Sequence, residues 1–437
     1  MNTQLSYRDP AAPSSRRHAL FGNRLSPRQT MICLTACMAL QMTSYVMIVP
    51  LFARRFTELG AGVEALGISA IAYALAATVA APFMGALADR FGRRPIILAS
   101  LAVYILAFTG YRFAATATAF ILLRGLAGAL TAGLMPAATG MVADLAPSDR
   151  RAQWIGILSG GASIGWIAGP VLGGLLYDRW GYGTALFISI GMAALAFAIA
   201  LAGVQETHTR RSPARSDAGS RRPRYQMSWA AMRATLPIAM APLAVVLLTY
   251  FVVMFAWAFI EPSFMFYAYD DLGWNASMLG LMMSTYGVSM MLGEFGLGRL
   301  SDTLGRKPII VMGLLLFSAQ FLGLAFSRNY LVIAIAFVIA GLGNALFDPA
   351  LSAALLDSTP SRYQARMLGL KSTFGSAGNI LGPALVVVFA AMLPPQGIFL
   401  ASAGSVLLTA LIVVSFRNKT TVREPSIQTD IVRNELR

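Results

Sequence analysis

The sequence predicts an all-α membrane protein with twelve transmembrane helices in two pseudo-symmetric six-helix bundles. Three observations lead to this prediction: an apolar composition, a series of long apolar segments, and an internal repeat. Of the 437 residues, 57% are hydrophobic and only 12% are charged. A soluble protein of this length needs more charged side chains to cover its surface. We therefore expect most of the chain to lie within a lipid bilayer.

Twelve segments along the chain are long and apolar enough to cross a membrane. Only helices and closed barrels satisfy backbone hydrogen bonds in lipid, and barrel strands would alternate between polar and apolar residues. The uniform apolar character of the segments therefore predicts helices. The expected spans are 29–52, 66–88, 95–113, 117–143, 153–176, 183–204, 237–262, 276–298, 308–326, 330–356, 367–392 and 397–416.

The distribution of basic residues predicts the orientation. With the N-terminus in the cytoplasm, most Lys and Arg residues of the loops and tails lie on the cytoplasmic side, in agreement with the positive-inside rule. The formal charge of +15 is thus explained by topology, and no basic face interleaved with aromatic residues indicates nucleic-acid binding. Both termini are expected to be cytoplasmic. The basic loop residues left on the outer side are Arg54, Arg55, Arg112, Arg179 and Arg328.

The longest hydrophilic stretch divides the chain into two halves. It is rich in Arg, Ser and Pro and has too few apolar residues to bury a core, which predicts a flexible linker. The expected parts are a cytoplasmic tail 1–28, a six-helix bundle 29–204, a cytoplasmic linker 205–236, a second six-helix bundle 237–416 and a cytoplasmic tail 417–437.

The two halves are related by an internal repeat. A constant shift of 213 residues, the difference in number between Asp302 and Asp89, aligns identical residues in several spans, such as Pro136 with Pro349. One shift that serves positions so far apart indicates duplication. The repeat therefore predicts two similarly folded bundles that face each other.

A loop that follows the second span recurs after the eighth. Its copies run from Gly85 to Arg94 and from Gly298 to Lys307. Both copies resemble the loop signature of the major facilitator superfamily, and they lie on the cytoplasmic side where that family has it. The resemblance implies a charge network that holds a cytoplasmic gate shut and breaks during switching; the alternative is a static anchor of topology. The residues assigned to this gate are Gly85, Asp89, Arg90, Gly92, Arg93, Gly298, Asp302, Gly305 and Arg306.

The fifth span contains a run of small residues that is similar to the antiporter signature of the drug–proton branch of that family. Several glycines and a proline on one helix predict close packing and a bend. The resemblance implies export by antiport, and the alternative is helix packing alone. The residues of this motif are Gly156, Gly165, Gly169, Pro170, Gly173 and Gly174.

Arg124 is a cation within the fourth span. Its surroundings resemble a third signature of the family, which implies a role in proton coupling. An arginine in hydrocarbon is costly, so its side chain is expected to face the bundle interior or water. The alternative is a structural partner of backbone carbonyls or of polar groups on span one, such as Gln41 or Ser44.

Carboxylates within spans are functional candidates because they are expensive there. Glu261, Asp348 and Glu294 are the proton-coupling candidates beside Arg124. Burial in an apolar cavity favours the protonated form of a carboxylate, and a nearby cation favours the ionised form. We expect Glu261 and Asp348 to carry the proton, with Arg124 as the charge in the opposite half. Glu294 lies close to the cytoplasmic loop, and its alternative role is to support the gate charges.

Several polar and aromatic residues are candidates for a substrate cavity. One face of the seventh span carries aromatic and Met side chains at helical spacing, which suits adaptable apolar binding; the alternative is a seam between helices. Span one lacks the acidic residue that many drug–proton antiporters have there. The cavity candidates are Gln41, Tyr45, Tyr250, Met254, Trp257 and Asn344.

The function predicted from these features is secondary active transport. We expect export of small amphipathic or cationic compounds by proton antiport in a bacterial inner or plasma membrane, by a monomer without cofactor or metal. The alternative is an importer or facilitator of a metabolite such as a sugar or organic anion. No P-loop or HExxH pattern occurs, which argues against an ATP-driven pump or a metalloenzyme.

Overall fold

The computed structural model describes residues 26–147, 150–207, 240–297, 300–359 and 363–416. Within these ranges the chain is helical and contains no β-strand. Most of the predicted N-terminal tail, all of the C-terminal tail, most of the linker, Gly298 and the side chain of Asp302 lie outside the described part. The described residues are thus the helices and their short connections.

The N-terminal half is built from long helices joined by tight turns. Its elements are α1 (Pro27–Ile48), a 3₁₀ turn (Val49–Leu51), α2 (Phe52–Glu58), α3 (Val63–Phe91), α4 (Arg93–Phe113), α5 (Ala117–Thr131), α6 (Leu134–Leu145) and α7 (Arg151–Gly203).

The C-terminal half repeats this organisation. Its elements are α8 (Met240–Phe266), a π-helical turn (Tyr267–Asp271), α9 (Ala276–Leu297), α10 (Leu300–Leu304), α11 (Arg306–Phe317), α12 (Ala319–Phe326), α13 (Tyr330–Asp357), α14 (Gln364–Phe389) and α15 (Pro395–Ser415).

Ten helices of the described part are long and apolar enough to cross a membrane. The protein is therefore a multi-pass integral membrane protein, whereas the number of twelve spans stays a prediction. The count of ten falls short of the predicted twelve for two reasons. The first is α7, which at about 1.5 Å per residue is more than twice as long as a hydrocarbon core of about 30 Å. Gly181 interrupts it with a φ of 78°. The second reason is α9, which has 22 residues but is less apolar than the ten candidate helices.

Helix ends are fixed by local chemistry. Ser26 and Gln29 form a capping box at the start of α1, in which each side chain bonds to the other residue's backbone N–H. Gly92 precedes α4 and Gly305 precedes α11, with φ values of 103° and 88°. These left-handed conformations suit glycine, so the predicted tight turns in both copies of the loop have a direct backbone reason.

The same contacts recur in both halves at positions related by the 213-residue shift. Arg93 pairs with Asp144, and the equivalent Arg306 pairs with Asp357 at 3.1 Å. The next residue along the chain donates to the last carbonyls of each half: Arg94 to Leu201 at 2.8 Å, and Lys307 to Val414 at 2.6 Å. A cation at a helix C-terminus satisfies carbonyls that have no partner within the helix.

Candidate transport pathway between the two halves

The two halves contact each other closely at one end of the molecule. We call this the outer end, after the predicted orientation. The hydroxyl of Tyr269 donates to the carbonyl of Pro50 at 3.0 Å, and Arg54 lies over the Tyr269 ring at 4.2 Å and 3.9 Å from Asp270. The carboxylate of Asp178 accepts the backbone N–H of Ala276 at 3.0 Å. Each contact joins the N-terminal half to the C-terminal half.

Small residues bring α7 and α9 together across the halves. The Cα of Gly280 lies so close to the carbonyl of Pro170 that a Cβ there would overlap it, and Gly174 meets the carbonyl of Ala276 in the same way. Further along, the hydroxyl of Ser284 donates to the carbonyl of Ile167 at 2.6 Å. Gly174 and Pro170 of the antiporter motif therefore belong to the contact that closes the outer end.

The other motif glycines have a different neighbour. A Cβ at Gly165 would lie 2.5 Å from the backbone N of Thr43, and one at Gly169 would lie 3.0 Å from that of Met47. Gly173 likewise faces the carbonyl of Met47. These three positions pack α7 against α1 within one half. Gly156 has no neighbour within 4 Å for such an atom.

Glycines near the Arg-rich loops make no such close contacts. A Cβ at Gly85, Gly160 or Gly296 would meet nothing within 4 Å. Asp89 is exposed and makes no hydrogen bond or ion pair with another described residue. These three glycines thus lack the close contacts between the halves that glycines make at the outer end.

Arg93 of the gate set binds residues of its own half that lie outside that set. Arg93 pairs with Asp144 and donates to the carbonyl of Gly140, all within its own half. The N-terminus of α4 is bound by Glu206, whose carboxylate accepts the N–H of Arg93 at 3.1 Å. Asp89 takes no part in these contacts. Glu206 is missed by the sequence prediction, which places it in the linker.

Arg124 lies near the middle of the N-terminal half and is only 6% exposed. Its guanidinium stacks over the rings of Phe52 at 4.6 Å and Tyr73 at 5.0 Å. Its Nε and Nη1 atoms are buried without a hydrogen-bond partner among the described residues. Tyr45 stacks on Tyr73 at 5.9 Å, which places this cavity candidate beside the guanidinium.

The polar groups of span one do not supply the missing partner. The amide nitrogen and oxygen of Gln41 are both buried without a hydrogen-bond partner among the described residues. The hydroxyl of Ser44 donates to the carbonyl of Gln41 at 2.7 Å. The alternative in which Gln41 or Ser44 holds Arg124 is therefore not what this conformation shows.

Glu261 lies on α8 in the opposite half and is partly exposed. It forms no ion pair with a described residue, yet it is near enough to Arg124 for the two opposite charges to interact. That Glu261 faces Arg124 as a coupling charge stays a prediction. These two charges lie on either side of the boundary between the halves.

Asp348 has a different partner from the one predicted. It forms an ion pair with Lys371 at 2.6 Å, in its own half, instead of facing Arg124. The Lys371 ammonium also donates to Ser352 at 2.6 Å and lies 4.2 Å from the centre of the Tyr250 ring. The sequence prediction gave Lys371 no role. The signal was available, because a cation within a span needs a partner as much as Arg124 does.

The remaining cavity candidates form two groups. Asn344 donates its side-chain N–H to the hydroxyl of Tyr286, whose ring stacks on Trp257 at 6.0 Å. Tyr286 was not predicted, although the repeat pairs it with Tyr73, which also stacks near the middle of its half.

Two candidates on α8 also contact α14. A Cβ at Gly375 would lie 2.5 Å from the ring of Tyr250, and one at Gly378 would lie 3.1 Å from the Cβ of Met254. Tyr250 and Met254 thus contribute to a seam between α8 and α14, and both remain half-buried.

The chain was compared with known proteins. Among curated relatives, it is 27% identical over 343 residues to "Multidrug resistance protein MdtG" of Klebsiella pneumoniae (strain 342), covering 77% of this chain and 80% of the relative. It is 28% identical over 324 residues to "Tetracycline resistance protein, class B" of Escherichia coli, covering 74% and 78%.

Solved structures show the same fold. The human organic anion transporter MFSD10 (TETRAN) superposes with a TM-score of 0.62 at 19% identity, covering 89% of this chain and all of that one. The nucleoside transporter NupG superposes with a TM-score of 0.69 at 14% identity, covering 88% and 99%. A bacterial homologue of the human lysosomal transporter Spinster, in an inward-facing conformation, gives 0.66 at 17% identity, covering 90% and 95%.

The family assignment rests on nearly the whole chain. The profile of the Major Facilitator Superfamily matches residues 31–260 and 246–433, and these two ranges include both copies of the loop signature. The titles of the three fold neighbours all name transporters. With two like halves that contact each other at the outer end, and with this profile match over most of its length, this chain belongs to the Major Facilitator Superfamily of membrane transporters.

Proposed function

We propose that this transporter exports small amphipathic or cationic compounds in exchange for protons. The observation that carries the proposal is the placement of Glu261 and Arg124 on opposite halves without an ion pair between them. Rocking of the halves around a central site changes the distance between such charges and their access to water. A carboxylate that alternates between an apolar environment and a cationic one binds a proton in one state and releases it in the other.

Glu261 fits this role better than Asp348. The partner of Asp348, Lys371, belongs to the same half, so the ion pair travels as a unit when the halves rock. The partner of Glu261 is across the boundary, so its surroundings change in every cycle. We therefore assign the proton to Glu261 and the charge that expels it to Arg124.

The walls of the pathway support apolar and aromatic cargo. Tyr45, Tyr73, Trp257 and Tyr286 place aromatic rings near the boundary in both halves. Such rings bind flat apolar molecules and, through their faces, cations. The relatives named for multidrug and tetracycline resistance support export rather than uptake.

A metabolite importer or facilitator is the second candidate. The observation in its favour is that Nε and Nη1 of Arg124 are buried donors without a partner, which suit an anionic group. The names of two fold neighbours, an organic anion transporter and a nucleoside transporter, agree with this reading, but at 14–19% identity they show the fold alone.

The topology belongs to the same proposal. We propose twelve spans, with Gly181 dividing α7 into two and α9 counted as one more. Both termini and the linker 205–236 then lie in the cytoplasm. The expected membrane is a bacterial inner or plasma membrane, and the expected unit is a monomer.

Transport by purified protein in liposomes tests the function. A pH gradient is imposed, and the accumulation of a cationic dye such as ethidium is compared for the wild type, Glu261→Gln and Asp348→Asn. We expect the gradient to drive accumulation by the wild type, and Glu261→Gln to abolish it while dye exchange in the absence of a gradient continues. Asp348→Asn is expected to keep a pH-driven component.

The importer or facilitator reading makes a different prediction. Wild-type protein would then equilibrate its substrate without responding to the pH gradient. A growth-inhibition panel of chemically diverse toxic compounds, in cells with and without the protein, identifies substrates for this comparison. If Glu261→Gln accumulates dye like the wild type, the assignment of the proton to Glu261 is wrong.

A further inference from the structure

The Lys371 ammonium is held by three kinds of group that bind ammonium ions. It lies 2.6 Å from Oδ1 of Asp348, 2.6 Å from the hydroxyl of Ser352 and 4.2 Å from the centre of the Tyr250 ring. An ammonium has three N–H donors, and a carboxylate, a hydroxyl and an aromatic face each attract one. Asp348 and Ser352 come from α13, Tyr250 from α8 and Lys371 from α14, so three helices build the cluster.

The carboxylate in this cluster is accessible while the ammonium is not. The side chain of Asp348 is 42% exposed, whereas that of Lys371 is 9% exposed. A cation can therefore reach Asp348 without passing Lys371. Glu294 on α9 is near enough for its charge to act on Asp348. Glu294 thus adds negative charge near Asp348, and negative charge attracts a cation.

We propose that Asp348, Ser352 and Tyr250 form a binding site for the primary ammonium group of an amphipathic substrate, and that Lys371 is the built-in cation which the substrate displaces. This inference rests on the proposed export of cationic compounds and names where the charged group of those with a primary ammonium binds. Lys371 keeps the carboxylate paired whenever substrate does not, which avoids the cost of an unpaired charge away from bulk water.

The site is expected to select primary over quaternary ammonium groups. Asp348 and Ser352 bind N–H donors, so a primary ammonium suits them and a quaternary ammonium does not. Met254 and Trp257 follow Tyr250 on the same face of α8, one and two turns away, and offer apolar surface for a hydrocarbon tail. Hexylammonium combines a primary ammonium with a hydrocarbon tail and is therefore the probe. Hexanol is its neutral counterpart.

Binding of hexylammonium to purified protein in detergent, measured by calorimetry, tests the site. The variants are Lys371→Ala, which empties the cluster of its cation, Lys371→Gln, which keeps a donor for Asp348, and Lys371→Arg, which keeps the charge. We expect Lys371→Ala and Lys371→Gln to bind hexylammonium about tenfold more tightly than the wild type and Lys371→Arg. Adding Asp348→Asn to either is expected to remove the gain, and hexanol is expected to bind all variants equally.

The inference is overturned if the two neutral variants bind hexylammonium no more tightly than Lys371→Arg. Should Lys371→Ala fail to fold, Lys371→Gln decides the question by the same comparison. The outcome of this test can be distinguished from the outcome of the test of the proposed function. The expected order of affinities without pH-driven export by the wild type rejects antiport and retains the ammonium site. Export driven by pH without that order retains antiport and rejects the site.

Discussion

Asp178 accepts hydrogen bonds from both the backbone N–H and the hydroxyl of Ser277, at 2.8 Å and 2.5 Å. Asp178 belongs to α7 in one half, and Ser277 is in the first turn of α9 in the other. A carboxylate at a helix N-terminus meets amides that have no partner within the helix and the positive end of the helix dipole. This bond therefore holds the outer end closed and must break when that end opens.

Replacing Asp178 should favour the form that is open at the outer end. Asp178→Asn removes the charge while keeping the size, and loss of a charged cap costs about 1 kcal/mol, or about fivefold in population. A cysteine at position 344, in a background without Cys33 and Cys37, reports the change through an impermeant thiol reagent added outside intact cells. We expect its labelling rate to rise about fivefold in Asp178→Asn.

The matched control is Asp270→Asn. Asp270 also joins the halves at the outer end, but it is exposed and lies 3.9 Å from Arg54, and such surface pairs contribute little. Its labelling rate should stay close to that of the parent. Equal rates for Asp178→Asn and its parent would show that the Asp178 bond does not control the outer end.

A methyl group at Gly280 should prevent closure of the outer end. Its Cβ would overlap the carbonyl of Pro170, which is backbone and has little freedom to move. We expect Gly280→Ala to reduce export at least tenfold and to raise outer labelling at position 344. Gly296→Ala, on the same helix, has nothing within 4 Å of the new atom and serves as the control. Export by Gly280→Ala at the rate of Gly296→Ala would contradict the proposed contact.

Neutralising Asp89 should affect transport more than stability. Asp89 has no bond with a described residue in this conformation, so Asp89→Asn should leave the melting temperature of the purified protein unchanged. Export should fall severalfold, because the charge is expected to act when the cytoplasmic end closes. Asp144→Asn breaks the ion pair with Arg93 and is expected to lower the melting temperature instead. Normal export by Asp89→Asn would contradict the gating role and favour the alternative that the loop is a static anchor of topology.

The predicted topology can be tested directly. In a cysteine-free background, Ser216→Cys in the linker should resist an impermeant thiol reagent applied to intact cells and react after the cells are opened. Ala115→Cys, in the turn between α4 and α5, should react from outside. Labelling of position 216 in intact cells would reverse the assigned orientation.

The helical membrane fold is predictable from the sequence because the bilayer constrains every apolar segment in the same way. The repeat adds the equivalence of the halves, and Arg93 and Arg306 indeed have equivalent partners. The expectation that Glu261 faces Arg124 has the same kind of basis, since costly charges in opposite bundles should face the same pathway, and it stays a prediction.

The partners of individual side chains are less predictable. Asp348 pairs with Lys371 because α13 and α14 are brought together in the C-terminal half, and no spacing along the chain reveals which helices are neighbours. Glu206 binds the start of α4 across more than a hundred residues. The partner of a side chain also depends on the conformation. Asp89 has none among the described residues in this one.

The crossing of Gly280 and Pro170 has a consequence for turnover. It is made of a glycine and a backbone carbonyl, so no rotamer is frozen when the two surfaces meet. Long side chains that pair across a boundary lose conformational entropy each time they are immobilised, at up to about 2 kcal/mol for each chain. This crossing escapes that recurring loss, unlike the contacts of Tyr269, Arg54 and Asp178, which order side chains across the same boundary. Only the side-chain contacts then carry an ordering cost each time the outer end closes.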